Sequence, residues 1–240
     1  MDSAPQNCRL HRLGVVTGLA SEARIISLML DEAALEVEVT CAGASSRRAT
    51  ELASQLAYQG VEALLSFGVA GGLAPDLDCG DLIIAHGLRG PAGQDFETDT
   101  DWRSALTANL EESSLTYREA SILGSARPLR QPADKAAAFA DTGCQAVDME
   151  SAAVAAVAAE TGLPFLAVRA VADAASDRLP GFVETAVKPD GRPNIGRVLG
   201  ALARHPGDIP VTFRLARQTE LALARLRMLE TAKAPLLGRF

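Results

Sequence analysis

Three short segments of this 240-residue chain hold residue types from which a small-molecule site could be built. In V-R-A-V-A-D-A-A-S-D (168–177) an aspartate, Asp173, follows an apolar run. The carboxyl ends of buried strands are where open α/β sheets bind ligands. An apolar setting raises the pKa of Asp173 and makes it a usable general acid. The competing role is a loop-start aspartate that accepts from nearby backbone amides. In V-D-M-E-S-A-A (147–153) two carboxylates, Asp148 and Glu150, flank Met149 where a strand gives way to a helix, and in extended backbone they face opposite sides. Glu150 either caps the helix N-terminus, where negative charge is favoured, or accepts two protons from a vicinal diol. The third segment, S-F-G-V-A-G-G-L (66–73), places glycines after a buried strand. Such glycines let a ligand approach backbone N–H groups, or form a structural tight turn. The segment fits neither G-x-G-x-x-G nor G-x-x-x-x-G-K-[ST], so it gives no support for a nucleotide-cofactor motif.

The elements that must position these segments alternate between apolar runs and helical patterns, the mark of a largely parallel sheet covered on both faces. Strands are expected at Leu13–Thr17, Leu35–Cys41, Ala63–Phe67, Asp81–Ala85, Ala120–Leu123, Ala146–Met149 and Pro164–Val171. The period-two pattern of Leu35–Cys41 suits a half-buried or edge strand. The strand at Ala63–Phe67 is expected to end in the turn G-V-A-G-G. Helices are expected at Glu22–Leu30, Ser46–Tyr58 and Glu150–Glu160, then near 193–204 and 211–230, with a loop over Pro91–Trp102. The alanine-rich third helix can approach the sheet closely. With no internal repeat and no linker, the expectation is one α/β domain over 1–240, a central mixed, largely parallel sheet flanked by helices. Residues 188–240 form its basic helical C-terminal extension.

Composition narrows the classes of function. The chain is 48% hydrophobic and 22% charged, too apolar for disorder. Its net charge of −7 argues against general nucleic-acid binding. Residues 1–187 carry −13, whereas 188–240 carry +6, a basic appendage on an acidic body. No apolar run is long enough to span a bilayer. The start M-D-S-A-P-Q-N-C-R-L-H-R lacks the pattern of a signal peptide. Cys8, Cys41, Cys79 and Cys144 are scattered, without metal-ligand or disulfide spacing. No metal is expected, and a reducing cytoplasm is the expected location.

Taken together, G-V-A-G-G-L-A-P-D-L-D-C-G-D-L-I-I (68–84), V-D-M-E-S-A-A-V-A (147–155) and V-R-A-V-A-D-A-A-S-D (168–177) resemble, in order and spacing, segments of the purine nucleoside phosphorylase and nucleosidase superfamily. The resemblance spans roughly residues 12–178. It implies that Asp173 donates a proton to N7 of a purine and that Glu150 accepts hydrogen bonds from the ribose hydroxyls. Met149 would pack under the sugar, Ala70 and Gly71 would line the substrate, and no organic cofactor would be needed. The sugar would pass through an oxocarbenium-like state, stabilised by contacts that strengthen as charge develops. In the hydrolytic branch a glutamate after the first strand activates water, and that position falls on Glu22. Phosphorolytic relatives supply arginines instead, with inorganic phosphate as co-substrate. Arg24, Arg47 and Arg48 are the candidates, while Ser66 stands where a second family arginine would be. Hydrolysis and phosphorolysis both stay open at this point.

Departures from the family pattern point to an unusual substrate. Val69 and Ala172 replace hydroxyl residues, and no base-stacking aromatic stands in G-S-A-R-P-L-R-Q-P (124–132). The tail K-P-D-G-R-P-N-I-G-R-V-L-G-A-L-A-R-H-P-G-D-I-P (188–210) is similar to the hopanoid-associated subgroup. There the implied substrate is adenosylhopane, cleaved to release adenine in hopanoid biosynthesis. Arg214, Arg217, Arg225 and Arg227 on the following helix suit either peripheral contact with the inner face of a membrane or an ordinary helix packed on the sheet. A homo-oligomer is implied by the resemblance. The alternatives are a methylthioadenosine/S-adenosylhomocysteine nucleosidase and a non-catalytic nucleoside-binding protein.

Overall fold

The computed structural model describes residues 10–30 and 35–231; Cys8 and the final residues of the basic tail, 232–240, lie outside them. The elements run β1 (Arg12–Thr17), α1 (Ala20–Leu30), β2 (Glu36–Cys41), α2 (Ser46–Tyr58), β3 (Ala63–Gly72), β4 (Leu82–Arg89), β5 (Asp95–Glu97) and α3 (Thr100–Glu112). They continue as β6 (Arg118–Gly124), α4 (Pro132–Thr142), β7 (Ala146–Asp148), α5 (Ser151–Thr161), β8 (Phe165–Asp173), α6 (Ile195–Arg204) and α7 (Ile209–Thr231).

All eight strands join one mixed sheet. β1 pairs in parallel with β2 and β3, β3 with β8, β4 with β6, and β6 with β7. The pairs β3–β7, β4–β5 and β4–β8 are antiparallel. Because β8 lies between β3 and β4, and β3 also reaches β7, the path β3–β8–β4–β6–β7 closes on itself. β3 pairs with β1 along its first residues and with β7 at Gly71 and Gly72, while its pairing with β8 shifts register at the Ala70–Gly71 step, where Ala172 of β8 is the extra residue. Among the described residues β2 pairs only with β1, an edge strand as its alternating pattern predicts.

Alternate strand residues feed two cores, since successive side chains leave opposite faces of a strand. Leu13, Val15, Leu65, Phe67, Leu166 and Val168 meet α1, α3 and α7 on one side. Val16, Leu64, Ile83, Ala167 and Val171 meet α2 and α5 on the other. α7 is an integral layer, burying Ala222, Leu223, Leu226 and Leu229 against the sheet. The C-terminal half of this helix therefore takes the packed-helix option, with Arg225 donating to the Thr116 carbonyl at 2.6 Å. Among the described residues no helix is long and apolar enough to cross a membrane.

Three expectations need correction. Residues 68–72 are not a turn but the last half of β3, held by pairing with β8 and β7. The stretch 91–102 is not wholly loop: it contains β5 and the start of α3, where Asp99 accepts from the Trp102 amide at 2.8 Å and caps the helix. Asp173 closes β8 rather than lying beyond it.

Candidate functional site

A cavity of about 170 Å3 opens where β1, β3, β7 and β8 end, and its wall includes Glu22, Val69, Gly71, Met149, Glu150 and Asp173. The glycines of β3 make room for two of these carboxyls. A Cβ at Gly68 would lie 2.6 Å from the Glu22 Cδ, and one at Gly71 would lie 3.2 Å from Asp173 Oδ2. Strand pairing and side-chain absence thus act together: the sheet supplies rigidity and glycine lets a carboxyl rest on backbone.

Glu22 sits in the first turn of α1, where a carboxylate suits the helix dipole. Its Oε2 accepts from the Gly18 and Leu19 amides at 2.9 and 2.7 Å, and its Oε1 accepts from the Val69 amide at 2.9 Å. Burial pushes its pKa up, opposed by the nearby Arg169 guanidinium and by these amides.

Beneath the cavity runs a buried polar network. Arg169 Nε donates to Asp148 Oδ2 at 2.7 Å, and its Nη2 donates to Ser66 Oγ at 2.6 Å. Ser151 donates its hydroxyl to Asp148 and its amide to Asp148 Oδ1 at 3.1 Å. The two side chains of the ion pair are 1% and 2% exposed, so the pair depends on these additional hydrogen bonds to offset desolvation. Ser66 belongs to this network rather than to an anion site.

The network also settles which carboxylate caps α5. Glu150 occupies the N-cap position but makes no capping hydrogen bond; Asp148 does that work from two residues upstream. Glu150 instead faces the cavity, its Oε1 buried without a hydrogen-bond partner among the described residues and 2.9 Å from where a Cβ on Gly18 would sit. Burial first, then the Asp148 charge and that of Glu22, lift its pKa to about 8 against the pull of Arg169. A buried acceptor without a donor is the kind of group a ligand hydroxyl satisfies.

Asp173 is held by a residue the sequence reading did not single out. Lys135 of α4 donates from Nζ to Asp173 Oδ2 at 2.5 Å and to the Ala174 carbonyl at 2.6 Å. Burial raises the Asp173 pKa, while the lysine charge and hydrogen bond lower it. The loop-amide role belongs to Asp177, whose Oδ2 accepts from the Ala174 amide at 2.9 Å.

The structure therefore brings Glu22, Ala70, Gly71, Met149, Glu150 and Asp173 to one cavity. It leaves the three expected arginines outside. Arg24 is exposed on α1, Arg47 pairs with Glu51 at 3.5 Å with its side chain 84% exposed, and Arg48 Nε donates to the Ala42 carbonyl at 3.2 Å. Arg47 and Arg48 stay near strand ends, Arg48 beside the end of β2 and Arg47 on a separate hollow with Gly124 and Met149, but none of the three reaches the carboxyl-lined cavity. The arginine of the cavity wall is Arg127, in the loop between β6 and α4. Among the described residues none that lines the cavity is aromatic, and Leu129, Leu179, Val183 and Leu215 give it an apolar side. Among the described residues no group of three or more His, Cys, Asp or Glu side chains is placed to hold a metal.

A closed mixed sheet with carboxyls from α1, the β7–α5 junction and β8 around one cavity defines the class: an α/β protein whose candidate site lies at the strand ends. More particularly, residues 15–203 match the family model of the Phosphorylase superfamily, and the chain belongs to that family. No curated protein matches it in sequence. Among solved structures, it is similar to a candidate 5'-methylthioadenosine/S-adenosylhomocysteine nucleosidase from Francisella philomiragia, with TM-score 0.71, 18% identity, and coverage of 96% of this chain and 100% of that one. A futalosine hydrolase mutant from Helicobacter pylori has TM-score 0.67 and 16% identity, covering 92% of this chain and 100% of its own. A Helicobacter pylori MTAN mutant with 5'-methylthioadenosine in the active site has TM-score 0.66 and 17% identity, covering 91% and 97%.

Proposed function

We propose that this protein cleaves the N-glycosidic bond of a 5'-substituted adenosine by hydrolysis, releasing adenine. The convergence of Glu22, Glu150 and Asp173 on one cavity carries the reading. Asp173 gives a proton to N7, so the base departs with the bonding electron pair. Glu150, with its free buried oxygen, accepts from the ribose hydroxyls, a contact that strengthens as the sugar becomes cationic. Glu22, held by three backbone amides, takes a proton from the water that adds to C1'. Hydrolysis is favoured over phosphorolysis because Arg24, Arg47 and Arg48 do not line the cavity. Inorganic phosphate remains the alternative co-substrate, with Arg127 as the side chain to meet it.

The 5' substituent is an alkyl group, and adenosylhopane is the proposed substrate. The apolar side of the cavity formed by Leu129, Leu179, Val183 and Leu215 supports it, together with the likeness of the 188–210 tail to the hopanoid-associated subgroup. Under this reading 188–240 is an extension of the same domain. A cytoplasmic protein would reach a lipid substrate at the inner membrane face through α6 and the first turns of α7, where Ile195, Leu199 and Phe213 are 65%, 61% and 73% exposed beside Arg197, Arg204 and Arg214. A homo-oligomer is part of the same proposal.

The test is adenine release from adenosylhopane in detergent and from 5'-methylthioadenosine, each with and without phosphate. Release without phosphate is the expected result. Release only with phosphate makes the protein a phosphorylase. Cleavage of 5'-methylthioadenosine alone refutes the hopanoid reading in favour of the methylthioadenosine nucleosidase. Binding with no release from either substrate leaves a nucleoside-binding module.

A further inference from the structure

Lys135 is fully buried and is the one buried residue of α4. Its ammonium is flanked by the Asp173 carboxyl and the Ala174 carbonyl. Packing alone does not account for it, because a buried amine is costly where a leucine or methionine would fill the space. Its partner is the residue that must deliver a proton, and that partner borders the cavity.

We propose that Lys135 is a positioning residue that stores the proton Asp173 delivers; this rests on the reaction proposed above. The pair holds one mobile proton. In the empty site it resides on Lys135 Nζ and Asp173 is a carboxylate. When a purine occupies the cavity, the Nζ–H bond breaks and the proton passes to Asp173. A half-turn about the soft Cβ–Cγ bond of aspartate then presents it to the ring nitrogen. The glycosidic electron pair goes to the base, leaving Lys135 neutral and Asp173 ionised. Water supplies hydroxide to C1' and its proton to Glu22, and that proton, returned through solvent, resets the pair.

The groups facing this pair leave the lysine as its nearby cation. Asp177 adds negative charge from the loop after β8 and pushes the Asp173 pKa up. The half-buried Cys79 thiol feels Asp173, Asp177 and Lys135. Arg214 engages Asp177 at 3.9 Å, while Glu22, Glu150 and Arg127 line the same cavity.

The sign of a pH shift tests this. An amine is ordinarily far more basic than a carboxyl, so the wild-type pair keeps its proton to higher pH than a lone aspartic acid. Lys135→Met should move the alkaline limb of the base-release profile down by one unit or more, a tenfold or larger loss there, with activity retained on the acid side. Lys135→Arg, whose guanidinium does not give up its proton, should be inactive at neutral and alkaline pH while folded, with any activity confined to the acid side where Asp173 protonates directly. An upward shift of the limb in Lys135→Met would mean that the lysine only suppresses the acid, and no shift would mean that it only packs; either overturns the proposal. A readout independent of turnover covers failure of the reaction itself or of the variant to fold. Isotope-edited infrared spectroscopy of the wild type, with Asp173→Asn subtracted, should show Asp173 ionised at neutral pH. A protonated Asp173 there overturns the proton store, whereas an ionised one in a protein that releases no base leaves the store standing and refutes the reaction.

Discussion

Replacing Glu150 by glutamine should make the ligand-free protein progressively more stable than wild type as pH rises, while removing its grip on a ribose. Glu150 is buried, its Oε1 has no partner among the described residues, and its pKa is lifted from 4.5 to about 8 by burial and the Asp148 charge. Between those two values the folded state holds a proton that the unfolded chain has lost, so wild-type stability falls as pH rises through that window. Below pH 4.5 there is no penalty. By pH 7 it amounts to roughly 3 kcal/mol, and above pH 8 it reaches about 5 kcal/mol at most. Glu22 and Arg169 act on the same carboxyl, so the slope belongs to the cluster rather than to one residue. Glutamine keeps the shape and never ionises. Its extra amide hydrogens add a pH-independent offset of about 1–3 kcal/mol if unsatisfied, so the slope and not the intercept is diagnostic. Urea unfolding of both proteins from pH 5 to 9 measures the difference, with similar m-values showing that the same surface is exposed. At pH 9 the midpoint temperatures should differ by roughly 10–20 °C before the offset is taken out. A difference that does not change with pH would refute the reasoning.

Other perturbations follow from the same geometry. Arg169→Met strands Asp148 in the interior and should cost about 3–5 kcal/mol in chemical denaturation; a loss below about 1 kcal/mol would show that the pair is not buried as described. Gly68→Ala puts a Cβ 2.6 Å from the Glu22 Cδ, so base release should drop by about 10²-fold or more with far-ultraviolet circular dichroism unchanged. Full activity would remove Glu22 from the mechanism. Leu199→Glu with Phe213→Glu should abolish cosedimentation with anionic liposomes without altering release of adenine from 5'-methylthioadenosine. Deleting 211–240 is not a usable version of that test, because Leu223, Leu226 and Leu229 belong to the core.

How much the sequence conveyed depended on whether a residue's role is set by its own neighbours along the chain. β1, α2, β8 and α7 announce themselves through apolar period and length; the strand-end position of Asp173 follows from β8, and that of Glu150 from the short 146–149 strand and the alanine-rich helix after it. Residues 68–72 read as a turn because glycine weakens a strand locally, yet long-range pairing with β7 and β8 overrides that preference. α3 carried a legible signal in Asp99 followed by Trp102, Leu106 and Leu110 at helical spacing. α4 had a fainter one, Pro132 at its first turn and Gly143 at its end. Lys135 could not be foreseen, since a lysine among alanines looks like any solvated position until tertiary packing seals it beside Asp173. The Asp148–Arg169 pair was equally hidden, its partners lying on separate strands and meeting only when β7 and β8 are in register with β3.

The central claim is that Asp173 protonates a departing purine in a site that hydrolyses the glycosidic bond. It is tested most directly by single-turnover adenine release in phosphate-free buffer, comparing wild type with Asp173→Asn and measuring substrate binding on the same samples. The account predicts one equivalent of adenine from wild type, and binding by the variant with release slowed about 10²-fold or more. Release by Asp173→Asn at the wild-type rate, or binding by both proteins with release from neither, would contradict it.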